Sequence, residues 1–274
     1  MKKFHLIFLA VLLCLIFTRF SSAQDQKEGM FRAASITPGI GFEFFSRTIT
    51  WDDALDVQYT SKLKSSFFTF NTEFEFGKGF FINAILGYAM PGSSYNELTF
   101  RKLPFSRELG VGTIKGYLLG GEIRKSLIYA KDLQVDVLGQ FFYYMGTKKE
   151  WEMPDLPIEV EGTMEGDPSW MRASIGPVFT YSGFDAFYPY LYLNFNKLWG
   201  KFKMVQTIQD KEGSLEGSLE GNEEINISGA SSFSASLGAI FKLTEVFGIK
   251  AEGNFIPHEN RVDLGFTVKI MYSF

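Results

Sequence analysis

The 274-residue sequence holds one cysteine, Cys14, and two histidines, His5 and His258. If Cys14 leaves with a leader, disulfides and thiol chemistry are excluded from the rest of the chain. A single remaining histidine leaves little for proton transfer near neutral pH. Beyond residue 24 no stretch is apolar enough to cross a membrane as a helix, which takes roughly 20 apolar residues. Positive charge is not in excess: 27 Lys and Arg stand against 31 Asp and Glu. There is no basic patch or tail, so nucleic acid is not an expected partner. No cluster of ligating residues calls for a metal, and nothing calls for a cofactor.

What is present begins with a leader. Lys2 and Lys3 precede an apolar run from Phe4 to Phe17, and small residues close the segment at Ser21, Ser22 and Ala23. That order describes a secretory signal peptide cut after Ala23. Two alternatives stay open. Arg19 near the cut fits an uncleaved anchor, and Cys14 could be lipidated, although Leu13 before it is not small. Residues 24–274 then form one domain of roughly 250 residues. Its aromatic load is high, since the chain carries 30 Phe, 12 Tyr and 4 Trp.

The aromatics recur with period two, the signature of a strand with chemically different faces. Phe68, Phe70, Phe74 and Phe76 alternate with Asn71, Glu73 and Glu75. Phe80, Ile82, Ala84, Leu86 and Tyr88 oppose Asn83 and Gly87. Tyr117, Leu119 and Ile123 oppose Gly116, Gly120 and Glu122, and Leu133, Val135, Val137, Phe141 and Tyr143 oppose Gln134, Asp136 and Gln140. Phe233 to Phe241 and Val262 to Phe274 repeat the pattern, and weaker versions run through 33–46, 170–181, 188–200 and 247–256. The spacing predicts an all-β, closed, antiparallel, up-and-down transmembrane β-barrel of about ten strands, with eight or twelve as alternatives.

Connections alternate in length. Short ones fall near 77–79, 125–132, 182–187 and 244–246; long ones near 47–62, 91–112, 147–169 and 201–229. Only 257–261 breaks the order. Short turns belong on the periplasmic side of such a barrel and long loops outside, so both termini are expected in the periplasm. Pro38, Pro177 and Pro189 then fall near the periplasmic rim, where a missing N–H is best tolerated. Two aromatic girdles are expected: Phe179, Tyr181, Phe184, Phe187, Tyr188, Phe247, Tyr272 and Phe274 at the inner interface, and Phe44, Tyr88, Tyr143, Trp170 and Trp199 at the outer one.

The last strand ends in an aromatic residue, with Phe266, Val268, Ile270, Tyr272 and Phe274 on one face. With the leader, this resembles the small bacterial outer-membrane β-barrel class that includes OmpA-type and OmpW-type barrels. The resemblance covers the pattern of the chain and its C-terminal signal. It implies residence in the outer membrane, contact with outer-membrane lipid, and insertion by the barrel assembly machinery.

Some barrels of this kind resemble surface enzymes in fold. Here His258 stands beside Glu259 in Pro257-His258-Glu259-Asn260, and Asp52-Asp53 forms an acidic pair. Both read more simply as solvated turns, and no catalytic residue is assigned. The acidic repeat within 212–224 reads as a surface loop. The inward positions say more. Glu43, Glu73, Glu75, Glu122, Arg124, Asp136, Arg172, Lys242, Lys250, Glu252, Asp263 and Lys269 are expected to line the lumen, with Phe142, Tyr144, Tyr190 and Tyr192 adding bulk. Buried charges of both signs must pair. The expected function is a non-enzymatic barrel with a largely filled polar lumen and long surface loops. A narrow channel or uptake barrel for small polar or amphipathic solutes is the alternative, and a hydrolase or acyltransferase built on His258 is a third.

Overall fold

The computed structural model describes residues 33–52, 58–77, 79–109, 112–152, 160–210, 219–259 and 261–273. The leader, Cys14, Asp53, the segment 211–218 and Phe274 lie outside the described residues. Fourteen strands follow one another: β1 (Ala33–Asp52), β2 (Gln58–Phe76), β3 (Phe80–Asn96), β4 (Leu98–Phe100), β5 (Arg107–Leu109), β6 (Ile114–Ala130), β7 (Leu133–Gly146), β8 (Lys149–Glu152), β9 (Val160–Tyr181), β10 (Phe187–Asp210), β11 (Leu219–Gly229), β12 (Phe233–Lys242), β13 (Phe247–His258) and β14 (Arg261–Tyr272).

Ten of them close into a ring. The order β1, β2, β3, β6, β7, β9, β10, β12, β13, β14 returns to β1 through antiparallel pairs. The closing register sets Gly39 opposite Met271 and Phe45 opposite Gly265. A closed ring leaves no edge unpaired, which is what lipid demands of a spanning sheet. The ten staves predicted from the period-two segments are these ten strands.

The long connections differ from the expectation. Much of 47–62, 147–169 and 201–229 is strand, not loop. β1 and β2 stay paired out to Asp52 and Gln58, and β9 and β10 out to Val160 and Asp210. β12, β13 and β14 stop early, at 10 to 12 residues against 24 for β10. Beyond their ends β11 takes their place: it pairs with β10 from Trp199 to Ile208 and with β1 at Ile49–Trp51. β8 adds to the free side of β9. The barrel therefore has a near half, at the end holding Ala33 and Ser273, and a far half made of β8, β9, β10, β11, β1, β2, β3 and the adjoining ends of β6 and β7.

The missed strands have a chemical cause. Side chains keep strict alternation along β10, with even numbers inward and odd numbers outward. In the near half the outward set is apolar: Leu191, Leu193 and Phe195, the last 70% exposed. In the far half the inward set is apolar, with Phe202, Met204 and Ile208 buried, while Lys201 and Lys203 face out. β1 changes in the same way, from outward Ile40 and Phe44 to inward Phe45, Ile49 and Trp51. The chemical pattern shifts phase by one residue although the strand continues. Read by its first phase alone, the second half looks like the end of a strand.

The belt of outward apolar side chains rings the near half: Phe68, Leu86, Ile123, Phe141, Ile175, Leu237 and Leu264 are all exposed to the surroundings. Such a continuous apolar exterior fits hydrocarbon and not water. Phe266, Val268, Ile270 and Tyr272 belong to it. Of the girdle residues, Trp199 faces out and packs on Phe141, with centroids 6.4 Å apart. Trp170 does not: it is fully buried inside the barrel. Its even-numbered position in β9 aims it inward, where the far-half core begins.

Candidate functional site: a lumen in two parts

In the near half the inward face is polar. Arg172 of β9 donates from Nη2 to Glu43 of β1 at 2.6 Å. In the ring these strands are five steps apart by either route, so the pair spans the diameter. Lys269 of β14 lies 3.7 Å from Glu122 of β6, which also accepts from Asn83 at 2.9 Å and from Gln140 at 2.8 Å. Lys250 lies 3.5 Å from Glu252, and the Tyr190 hydroxyl donates to the same carboxylate at 2.6 Å. Arg124 meets Glu73 at 3.4 Å and lies over the Phe81 ring. Mutual pairing of this kind offsets the several kcal/mol that an isolated buried ion costs.

Four of the expected lumen residues stand apart from this mesh. Glu75 accepts from the Ser35 hydroxyl at 3.1 Å. Asp136, fully buried, accepts from the Gln134 amide at 2.8 Å and 3.0 Å. Lys242 is exposed at the rim, its ammonium 4.7 Å from the centre of the Tyr188 ring. Asp263 sits in the wall at the seam where β14 ends and β11 begins to pair with β1. It accepts from the Thr48 backbone N–H and from Lys62, whose side chain starts on the outer face of β2. It keeps the inward parity of Lys269 and, by these bonds, completes the hydrogen bonding of β1 at the strand exchange.

The far half is the reverse. Its inward face is a dry cluster in which Trp170, Phe67, Tyr144, Phe202, Leu63, Ile49 and Leu118 are all at most 1% exposed. The rings meet across the barrel. Phe45 of β1 packs edge-on against Trp170 of β9 at 5.2 Å, and Tyr144 stacks on the same indole at 5.2 Å. Tyr95 of β3 reaches Phe202 of β10 at 5.1 Å. Edge and offset contacts at these separations are the favoured ones for aromatic pairs.

The β4–β5 hairpin completes the closure. Leu98, Phe100 and Leu103 are buried, and Phe100 packs on Phe202 at 5.3 Å. The hairpin is stapled to the opposite wall: the Lys102 N–H donates to Glu223 of β11 at 2.8 Å, and the Phe105 N–H donates to Gln206 of β10 at 2.9 Å. Gly92 makes this path possible. It lies at φ +134 in the bulge between Ala89 and Ser93, and a Cβ there would stand 2.5 Å from the Ile114 carbonyl oxygen. Arg172 marks the boundary between the halves, its guanidinium 4.5 Å from the Phe142 ring centre and 5.2 Å from that of Phe45.

One inward residue was missed from sequence because 47–62 read as loop. Arg47 is inward and 1% exposed. Continuing the odd-numbered face of β1 through Phe45, Ile49 and Trp51 would have found it. His258 pairs in register with Arg261 at the β13–β14 turn and is partly exposed. Among the described residues no group of three or more His, Cys, Asp or Glu could hold a metal ion.

No family model matches the sequence, and no curated protein matches it either. Solved structures with a similar course of chain are barrels. The outer membrane protease OmpT from Escherichia coli is 11% identical, covering 90% of this chain and 99% of that one, with a TM-score of 0.48. The translocator domain of the autotransporter NalP from Neisseria meningitidis is 11% identical over 98% and 96% of the two chains, with a TM-score of 0.43. The attachment invasion locus protein Ail of Yersinia pestis is 11% identical over 87% and 98%, with a TM-score of 0.26. At these values the likeness carries no activity over, and function has to be read from the chain's own residues.

Proposed function

We propose that the chain is an integral protein of a bacterial outer membrane that does not conduct, is not an enzyme, and works through the folded far half it holds above the membrane. The near half would sit in lipid with both termini in the periplasm. The far half would stand outside, presenting Thr, Ser, Lys and Glu side chains of β1, β2, β9, β10 and β11 to the exterior. The apolar face ending in Tyr272 fits insertion by the barrel assembly machinery. The observation that carries this reading is the cross-barrel packing of Phe45, Phe67 and Tyr144 on Trp170, which supports a lumen closed at that height. The non-enzymatic part is supported by His258, which stands partly exposed at the β13–β14 turn, in register with Arg261.

Planar-bilayer recording on the refolded barrel tests it. A folded barrel that stays silent over a range of voltages is the expected result. Stable, reproducible conductance steps would overturn it in favour of a narrow channel lined by Glu73, Glu122 and Arg124. Orientation is checked separately by labelling intact cells with a membrane-impermeant amine reagent. Lys203 should react, and Lys131, in the β6–β7 turn, should not.

A further inference from the structure

Arg47 is a buried cation with no direct ion pair among the described residues; the nearest compensating charge, Asp263, acts on it only through space while bonded to Lys62 and Thr48. It lies on the inward face of β1, and its Nη2 donates to the Ser231 carbonyl at 2.6 Å. Its Nε has no partner. The guanidinium fits only because residue 229 is glycine: a Cβ there would stand 2.6 Å from Nη2. Among the described residues no carboxylate comes within ion-pair distance. Glu43, two positions away on the same face, is taken by Arg172. Asp263 is taken by Lys62 and Thr48. A buried arginine left this way costs several kcal/mol unless something neutralises it.

Beside it is a polar cavity of about 60 Å³, lined by Arg47 and Arg172 together with Asn194, Asn196, Ser234 and Asn254. Four cations and three carboxylates line the cavity in all, so one positive charge is in excess. Asn196 Oδ1 and Asn254 Oδ1 are buried without partners; Asn196 is held by its donation to Ser234 at 3.0 Å, so it is Asn254 whose turned amide would present NH2. The volume holds about four ordered waters, or one small oxyanion in their place. A second cavity shares Glu122, Lys250 and Glu252 with the first and runs on to Glu73 and Arg124, a path leading away from the aromatic closure.

We propose that this cavity binds one free small oxyanion, of phosphate or carboxylate type, against the Arg47 guanidinium, reached from the near end of the barrel. Guanidinium groups match the oxygen spacing of such anions and hold them with charge-assisted hydrogen bonds. The site is closed on the far side by Phe45 and Phe142 under Arg172, so bound anion exchanges with one side only.

The test uses the refolded full chain in detergent, with inorganic phosphate and acetate as probes in separate titrations. Calorimetry should give saturable binding of one anion per barrel, and the unfolding midpoint should rise with anion concentration. Arg47→Gln should weaken binding at least tenfold. In anion-free buffer it should unfold no more easily than wild type, because it removes the uncompensated charge. Asn254→Phe keeps Arg47 and fills the cavity, so it should abolish binding even if Arg47→Gln does not fold. Absence of saturable binding of both probes by wild type, or undiminished affinity in Asn254→Phe, would overturn the proposal.

Discussion

The two halves of this barrel solve opposite problems, the near half with the full ten-strand ring and the far half with β11 in place of β12, β13 and β14. In the near half the solvent outside is hydrocarbon, so Phe195, Leu237 and Leu264 face out and the ions are drawn inward. In the far half, which the proposed function places in water, Lys201, Lys203 and Glu224 face out and the aromatics fill the interior. The near half holds its interior together by directional pairs, such as Arg172 with Glu43 at 2.6 Å. The far half relies on close contact of rings, such as Tyr95 with Phe202 at 5.1 Å. Tyr95, Phe100 and Trp151 all pack around Phe202. A fold is thus not committed to one hydrophobic side. Strand alternation supplies two faces, and the medium at each height decides which is apolar.

Substitutions along β10 can break or sharpen that contrast. The largest effect is expected from Phe202→Ala, which empties the centre of the far-half cluster. Loss of a buried aromatic costs about 3–5 kcal/mol. Urea unfolding in detergent should register it, and hydrogen exchange should rise in β9–β11 before it rises in β12–β14. Equal loosening of both halves would show that they form one cooperative unit. Next is Phe195→Lys on the lipid face. A cation near mid-bilayer costs about 2–4 kcal/mol, so the fraction folded into vesicles should fall while folding in detergent suffers less.

Glu223→Ala removes the acceptor of the Lys102 N–H and should cost about 1–3 kcal/mol. Its effect should be local: limited proteolysis within 98–109 should quicken while the ring persists. The smallest change is expected from Lys203→Ala, outward in the far half, which should shift stability by less than about 0.5 kcal/mol. If Lys203→Ala instead stabilised the barrel by as much as Phe195→Lys destabilises it, the far half would be immersed in lipid and the division into two media would fail.

Much of the architecture was legible in the chain. Segments such as Leu133 to Tyr143 and Val262 to Tyr272 meet lipid on one face and the polar lumen on the other for their whole length, so one phase describes them. Inward Glu43, Glu122, Arg172 and Lys269 could be identified from parity for the same reason. What escaped were the far ends of β1, β9 and β10, where the apolar set moves to the other parity and a single-phase reading stops. Trp170 and Arg47 were lost at that crossing. The partners of Asp263 escaped for a different reason: the early end of β14 and the arrival of β11 bring it to Thr48 and Lys62, and no periodicity within one strand reveals which strand lies beside it.

The phase change along β1, β2, β9 and β10 also orders events in time. Glu224, Lys201 and Lys203 cannot rest in hydrocarbon, so the segments that carry them must cross to the far side before their inner faces condense. Packing of the aromatic cluster is therefore a late step, and once made it acts as a latch: drawing the barrel back through the membrane would first require that core to be pulled apart.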